Sequence, residues 1–151
     1  MGQQANITVF DGASTPVSHT LVGDGVEKQV GSANVALWTE QIASVPNYAQ
    51  VRFTQIKLKL KSGVYRVTSR VEVPVMEAIS GQNASGYTAP PKVAYVDRFE
   101  LVSYTHERSV ETTKRIAMQM LINWCNNVTT SVTPVSAGVV ADAHQRLIQV
   151  T

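Results

Sequence analysis

The chain has 151 residues, 13 Lys and Arg against 11 Asp and Glu, and a formal net charge of +2, so it is long enough for one domain with a real core and too nearly neutral for net charge alone to imply nucleic acid. A composition of 44% hydrophobic and 16% charged residues excludes a disordered chain, and no run approaches the roughly 18 apolar residues that cross a membrane. The single Cys125 excludes an intrachain disulfide. Charged residues also fall short of the roughly 25% usual in soluble domains, as expected of a surface that meets other protein. No secretory signal is expected, and "MGQQAN" departs from a myristoylation signal at Asn6. Sequons at Asn6, Asn83 and Asn127 read as chance in a chain rich in Asn, Ser and Thr.

In chain order, "NITVFDG" and "STPVSHTLVGDG" predict two strands around a turn, an N-terminal hairpin over residues 1–25. "VALWTEQIA" predicts a strand around Trp38. "YAQVRFTQIKLKLK" and "VYRVTSRVEVPV" alternate most clearly, with Ile56, Leu58 and Leu60 expected on the packed side and Gln55, Lys57 and Lys59 on the other. Ser62-Gly63 reads as a two-residue hairpin turn. "MEAISGQNASGYTAPPK" is a long loop, the kind that is usually functional, and "VAYVDRFELVSY" resumes as a strand. A helix from about His106 to Asn126 follows, with Thr105 as N-cap and Val110, Thr113, Ala117, Met120, Leu121 and Trp124 on one face bordered by Ile116. A shorter helix is expected around Gly138–Leu147. Strands first and helices last give an α+β class in a single domain over 1–151: a main sheet over 30–104, including a loop at 75–92, and a helical part over 105–151.

Charge is unevenly placed. Six of the 13 cationic residues (Arg52, Lys57, Lys59, Lys61, Arg66 and Arg70) fall between Arg52 and Arg70, and Gln41–Val71 contains no Asp or Glu. A turn at Ser62-Gly63 sets Lys59 opposite Arg66, Lys57 opposite Thr68 and Gln55 opposite Arg70, and like charges across a strand pair are destabilising. One reading is a guarded, solubilising sheet surface. The other is a polyanion site, with Lys and Arg for phosphates and Thr68, Gln55 and Tyr95 for bases. Tyr95 can stack on a base and Asp97 can accept from an exocyclic amine, although a half-buried strand aromatic and a solvated Asp97–Arg98 pair are the plainer readings.

Enzymatic and metal constellations are poor. His19, His106 and His144 are scattered, Cys125 has apolar neighbours, and no nucleophile elbow, P-loop or zincin motif is present. Neither a cofactor, a metal, a small-molecule substrate nor a membrane is expected as a partner.

The order and spacing of "ANVALW", "VYRVTSRVEVP", "PPKVAY", "YVD" and "SVETTKRIAMQML" resemble the coat proteins of small single-stranded RNA bacteriophages across nearly the whole chain. The resemblance implies an N-terminal β-hairpin, a five-stranded antiparallel sheet and two C-terminal helices. It implies an obligate homodimer with interlocked helices and one continuous ten-stranded sheet, assembled into a T=3 icosahedral shell whose inner face is the sheet. It further implies binding of genomic single-stranded RNA and of a stem-loop that marks packaging and represses replicase translation, in a virion made in the bacterial host cytoplasm. Carried over by position, the RNA-facing residues are Val35, Gln55, Lys57, Lys59, Arg66, Thr68, Arg70, Glu72, Tyr95 and Asp97. The dimer helix presents Ile116, Met120, Leu121 and Trp124, and the inter-dimer loop is Ser80, Gly81, Gln82, Asn83, Ala84, Ser85 and Gly86. Phe99 and Leu101 share the parity of Asp97, so a bulge near Arg98 is expected if Asp97 is to face RNA. The tail after Pro134 is longer than the family pattern. The competing readings are a non-assembling RNA-binding regulator on a similar sheet, which leaves the long loop unexplained, and a small enzyme, which would need a buried carboxylate pair in a cleft.

Overall fold

Alternating side chains and β-branched residues from Ile7 to His106 build six strands that pair only with their sequence neighbours: β1 (Ile7–Phe10), β2 (Ser18–Gln29), β3 (Ala33–Glu40), β4 (Arg52–Lys59), β5 (Val64–Met76) and β6 (Val93–His106). All pairings are antiparallel, and the N-terminal hairpin is continuous with the main sheet, which has six strands among the described residues. Helix α1 (Glu111–Cys125) follows, then α2 (Val139–Ala141), which runs into a wide π-type turn at Asp142–Arg146. The computed structural model describes residues 4–29, 33–78, 81, 85–86 and 90–150.

The core lies where β2, β3 and β4 meet the C-terminal segment. Leu21, Ala36, Trp38 and Phe53 form it, with Ile7, Val51, Val139, Val140 and Val150 packed around them. Trp38 is fully buried, its ring centroid is 5.3 Å from that of Phe53, and its indole N–H donates to the Ala5 carbonyl at 2.9 Å. A bulge at Gly23/Gly25 breaks the β2–β3 ladder. The Gln4 amide fills that gap, accepting from the Gly25 N–H at 2.8 Å and donating to the Leu37 carbonyl at 2.7 Å. Pro74 is tolerated inside β5 because β4 begins at Arg52, opposite Glu72, so β5 has no β4 partner at Pro74.

Two boundaries differ from the sequence expectation. Strand β6 runs on to His106, paired with Val64, so Thr105 is a strand residue and not a helix cap. The helix starts only at Glu111, after Val110 in extended conformation and with no side-chain cap. The β-branched and aromatic run "LVSYT" favours pairing over a helical first turn. The second expected helix is present in shortened form, ended by Leu147 at φ 58°.

Candidate nucleic-acid interface

The β4–β5 hairpin decides which side chains share a face. Leu60 N–H donates to the Val64 carbonyl at 2.8 Å and Gly63 N–H to the Leu60 carbonyl at 3.0 Å, so the loop is Lys61-Ser62-Gly63 with Gly63 at φ 79°. Such a three-residue loop is a type I turn closed by a left-handed glycine. One extra loop residue shifts the register by one: Leu58 lies opposite Arg66, Ile56 opposite Thr68, Thr54 opposite Arg70 and Lys59 opposite Tyr65. A slip of one residue turns every side chain to the other face. The expected pairs Lys59–Arg66, Lys57–Thr68 and Gln55–Arg70 are therefore corrected. Gly63→Ala should cost about 1 kcal/mol in chemical denaturation, because a Cβ is strained at this φ.

Gln55, Lys57 and Lys59 consequently lie on the face opposite to Arg66, Thr68, Arg70 and Glu72. Gln55 is fully buried beneath the C-terminal segment, and its amide donates to the Val139 carbonyl at 3.0 Å. Lys57 Nζ donates to the Leu147 carbonyl at 3.0 Å, capping the end of the π-type turn, and burial pulls its pKa below the usual lysine range. Lys59 pairs with Glu107 at 2.8 Å and sits over the Tyr65 ring. Ile56 and Leu58, expected on the packed side, belong to the open face. Lys57→Met should lower stability by about 1–3 kcal/mol, since a charged hydrogen bond is lost, and leave RNA affinity unchanged within twofold. Weakened RNA binding with unaltered stability would reverse that assignment.

His144 anchors the same covered face. It is buried, with Nε2 3.0 Å from Ser69 Oγ and Nδ1 2.7 Å from Ser103 Oγ, and burial lowers its pKa to about 4. Gln149 adds a bond from its amide to the Asn34 carbonyl at 3.1 Å. Elsewhere, His19 bridges Glu40 at 2.9 Å and Asp11 at 3.4 Å, and His106 accepts from the Arg108 backbone N–H. The tail after Pro134 is thus a strap across β3–β6. The sequence signal for it was the polar set Ser69, Ser103 and His144 at otherwise packed positions.

The open face carries Val35, which lies opposite Ile56, together with Arg66, Arg70 and Glu72, and with Thr68, which is fully buried among its neighbours. Paired across from β5 on β6 are Tyr104, Val102, Glu100 and Arg98. Its charge is largely offset within the chain: Arg70 Nε donates to Glu100 at 2.6 Å and Arg98 Nε to Glu72 at 2.8 Å. The lack of Asp and Glu within Gln41–Val71 does not leave this face without counter-charge, because its carboxylates come from Glu72 and from β6, beyond that stretch.

Tyr95 and Asp97 pair with Val75 and Val73, so they point to the side of the sheet that carries the helices, with Phe99 and Leu101, although Tyr95, Asp97 and Phe99 are themselves exposed. The irregularity in this ladder is at Val75/Met76 and not near Arg98, which leaves Asp97 facing away from Arg70. Val71 and Val73 on that side, with Met118 and Ile122 of α1, line an apolar cleft of about 990 Å³. The opposite side of α1 is bare: Ile116, Met120, Leu121 and Trp124 are exposed, Trp124 to 84%. In the long loop, Gly81, Ser85 and Gly86 are exposed, while Ser80, Gln82, Asn83 and Ala84 lie outside the described residues.

An antiparallel meander covered on one face by C-terminal helices, with an apolar helix face left over, is the architecture of a structural coat protein. The chain belongs to the levivirus coat protein family, whose sequence profile (Levivirus coat protein) matches residues 2–142. Among solved structures it is similar to the virus-like particle of bacteriophage EMS014, at TM-score 0.74 and 32% identity over 93% of this chain and 86% of that one. The bacteriophage EMS014 coat protein matches at 0.68 and 30%, over 88% and 81%. The bacteriophage GA protein capsid shares the fold at 0.53 and 16%, over 92% and 91%. Among curated protein sequences nothing matches. The family and these capsid structures give the chain a structural role in the capsid of a virion; no helix among the described residues is long and apolar enough to cross a membrane.

Proposed function

We propose that the chain dimerises by interlocking α1 with its copy in a partner, joins β2–β6 of both into a ten-stranded surface, and assembles into a T=3 shell around single-stranded RNA. The observation that carries this is the bare apolar side of α1 next to an unfilled apolar cleft, with no element among the described residues that covers either. Shell contacts fall to the loop at Ser80–Gly86. RNA lies on the open face, where Arg66, Thr68, Arg70 and Glu72 stand with Val35, and the same face takes a genomic stem-loop that marks packaging and represses replicase translation. Gln55, Lys57, Lys59, Tyr95 and Asp97 drop out of this contact, because they lie on the other face.

Nuclease treatment of purified particles, followed by RNA extraction, tests the shell reading: protected RNA of genome-fragment length supports it, and RNA-free soluble dimers under packaging conditions would sink it. Arg70→Ala should weaken stem-loop binding and lower its salt dependence by about one phosphate contact. Wild-type affinity and salt slope would take the stem-loop off this face.

A further inference from the structure

Across β4, β5 and β6 the open face is a series of cross-strand rows: Leu58–Arg66–Tyr104, Ile56–Thr68–Val102, Thr54–Arg70–Glu100 and Arg52–Glu72–Arg98. The third row neutralises itself through the Arg70–Glu100 pair, and in the fourth Arg98 pairs with Glu72 while Arg52 donates to the Asn47 carbonyl at 3.2 Å. The first row has no such partner. Arg66 has neither an ion pair nor a side-chain hydrogen bond among the described residues, and it stands directly opposite Tyr104, a residue 65% exposed. Beside them the second row is apolar at both ends, Ile56 and Val102, and Val35 extends it onto β3. Thr68 at its centre is buried, and its hydroxyl has no partner.

An exposed aromatic ring next to an uncompensated guanidinium, with an apolar row alongside, matches the amphipathic chemistry of a nucleotide. Bases stack on aromatic faces with little regard to sequence, while Arg takes the phosphate or stacks in turn. In the ion-paired rows a carboxylate already engages the guanidinium, and no aromatic ring among the described residues stands beside it. We propose that Tyr104 and Arg66 form a nucleotide-stacking subsite for single-stranded RNA at this end of the open face. The inference rests on the RNA reading above and moves the stacking aromatic from Tyr95, on the side that carries the helices, to Tyr104.

The test is binding of a fluorescein-labelled oligoadenylate to the purified protein, followed by anisotropy over a salt series. Tyr104→Leu, which keeps an apolar side chain but no π-face, should lower affinity about tenfold, and Tyr104→Phe should stay within twofold of wild type. Arg66→Ala should weaken binding and reduce the salt slope by about 0.7. Unchanged binding in Tyr104→Leu alongside loss in Arg70→Ala would overturn the subsite and leave the RNA reading standing. Unchanged binding in Tyr104→Leu, Arg66→Ala and Arg70→Ala together would remove the RNA reading itself. Intact RNA binding with lost particle formation in Tyr104→Leu would make this row a protein contact and overturn the subsite.

Discussion

Trp124→Asp should abolish dimerisation and particle formation while leaving a folded monomer. Trp124 is 84% exposed within the chain and lies with Ile116 and Met120 on the side of α1 away from Met118 and Ile122, which line the cleft. A Trp side chain that goes from water to an apolar interface buries about 200 Å², worth about 5 kcal/mol, and a two-fold dimer counts it twice. An Asp at the same position must also be desolvated without a partner. The intrachain core around Trp38 and Phe53 is untouched, so far-ultraviolet circular dichroism should be unchanged. Sedimentation velocity is the readout. A variant that sediments as wild-type particles would show that this helix face is not the dimer contact.

Acidification from pH 7 to pH 4 should cost the fold roughly 3 kcal/mol through His144. Burial holds the folded-state pKa near 4, below the ordinary 6.5, so between those values the unfolded chain binds the extra proton and the folded chain does not. Stability therefore falls as pH falls through this window and is fully recovered above it. His19 works with the opposite sign. Its hydrogen bond to Glu40, reinforced by Asp11, outweighs desolvation and raises its pKa, so its contribution is present below its ordinary value and lost as pH rises through the raised one. Asp11, held low by the backbone N–H groups of Val17 and Ala13, adds stability that disappears only when pH falls below its ordinary 3.8 and through the lowered pKa. Urea midpoints at pH 4.5 and pH 7 separate these effects. His144→Gln, which keeps hydrogen-bonding capacity without titrating there, should show a much smaller acid loss than wild type, and an equal loss in both would contradict the assignment to His144.

The strands were legible because period-two patterning and β-branched residues mark them within a few positions, from Ile7 through His106. Parity was not. Along Val51 and β4 the apolar residues change sides partway, with Val51 and Phe53 on odd positions and Ile56 and Leu58 on even ones, so the alternation in "QIKLKLK" supports either face. The arbiter was the hairpin loop, and Lys-Ser-Gly with glycine third is the signature of a three-residue turn. Taken as two residues, it turned Gln55, Lys57 and Lys59 to the wrong face. The apparent like-charge conflict between Lys59 and Arg66 follows from that register. In the actual one, Lys57 caps a turn ending at Leu147 and Lys59 pairs with Glu107, partners that lie ninety and forty-eight residues away in sequence. The leftover apolar side of α1 was legible from Ile116, Met120, Leu121 and Trp124, because helical periodicity needs no long-range information. The strap was not, since its anchors are single polar side chains scattered over β4, β5 and β6 and one backbone carbonyl on β3.

One measurement bears most directly on the account: a cryo-electron microscopy map of the purified, RNA-loaded protein at side-chain resolution. The account predicts closed shells of two-fold dimers, α1 outermost and packed against its copy, with Arg66, Arg70 and Tyr104 facing the interior RNA and Lys57 held at the Leu147 carbonyl. Open assemblies or isolated monomers, or a shell in which Lys57 and Lys59 line the RNA side, would contradict it.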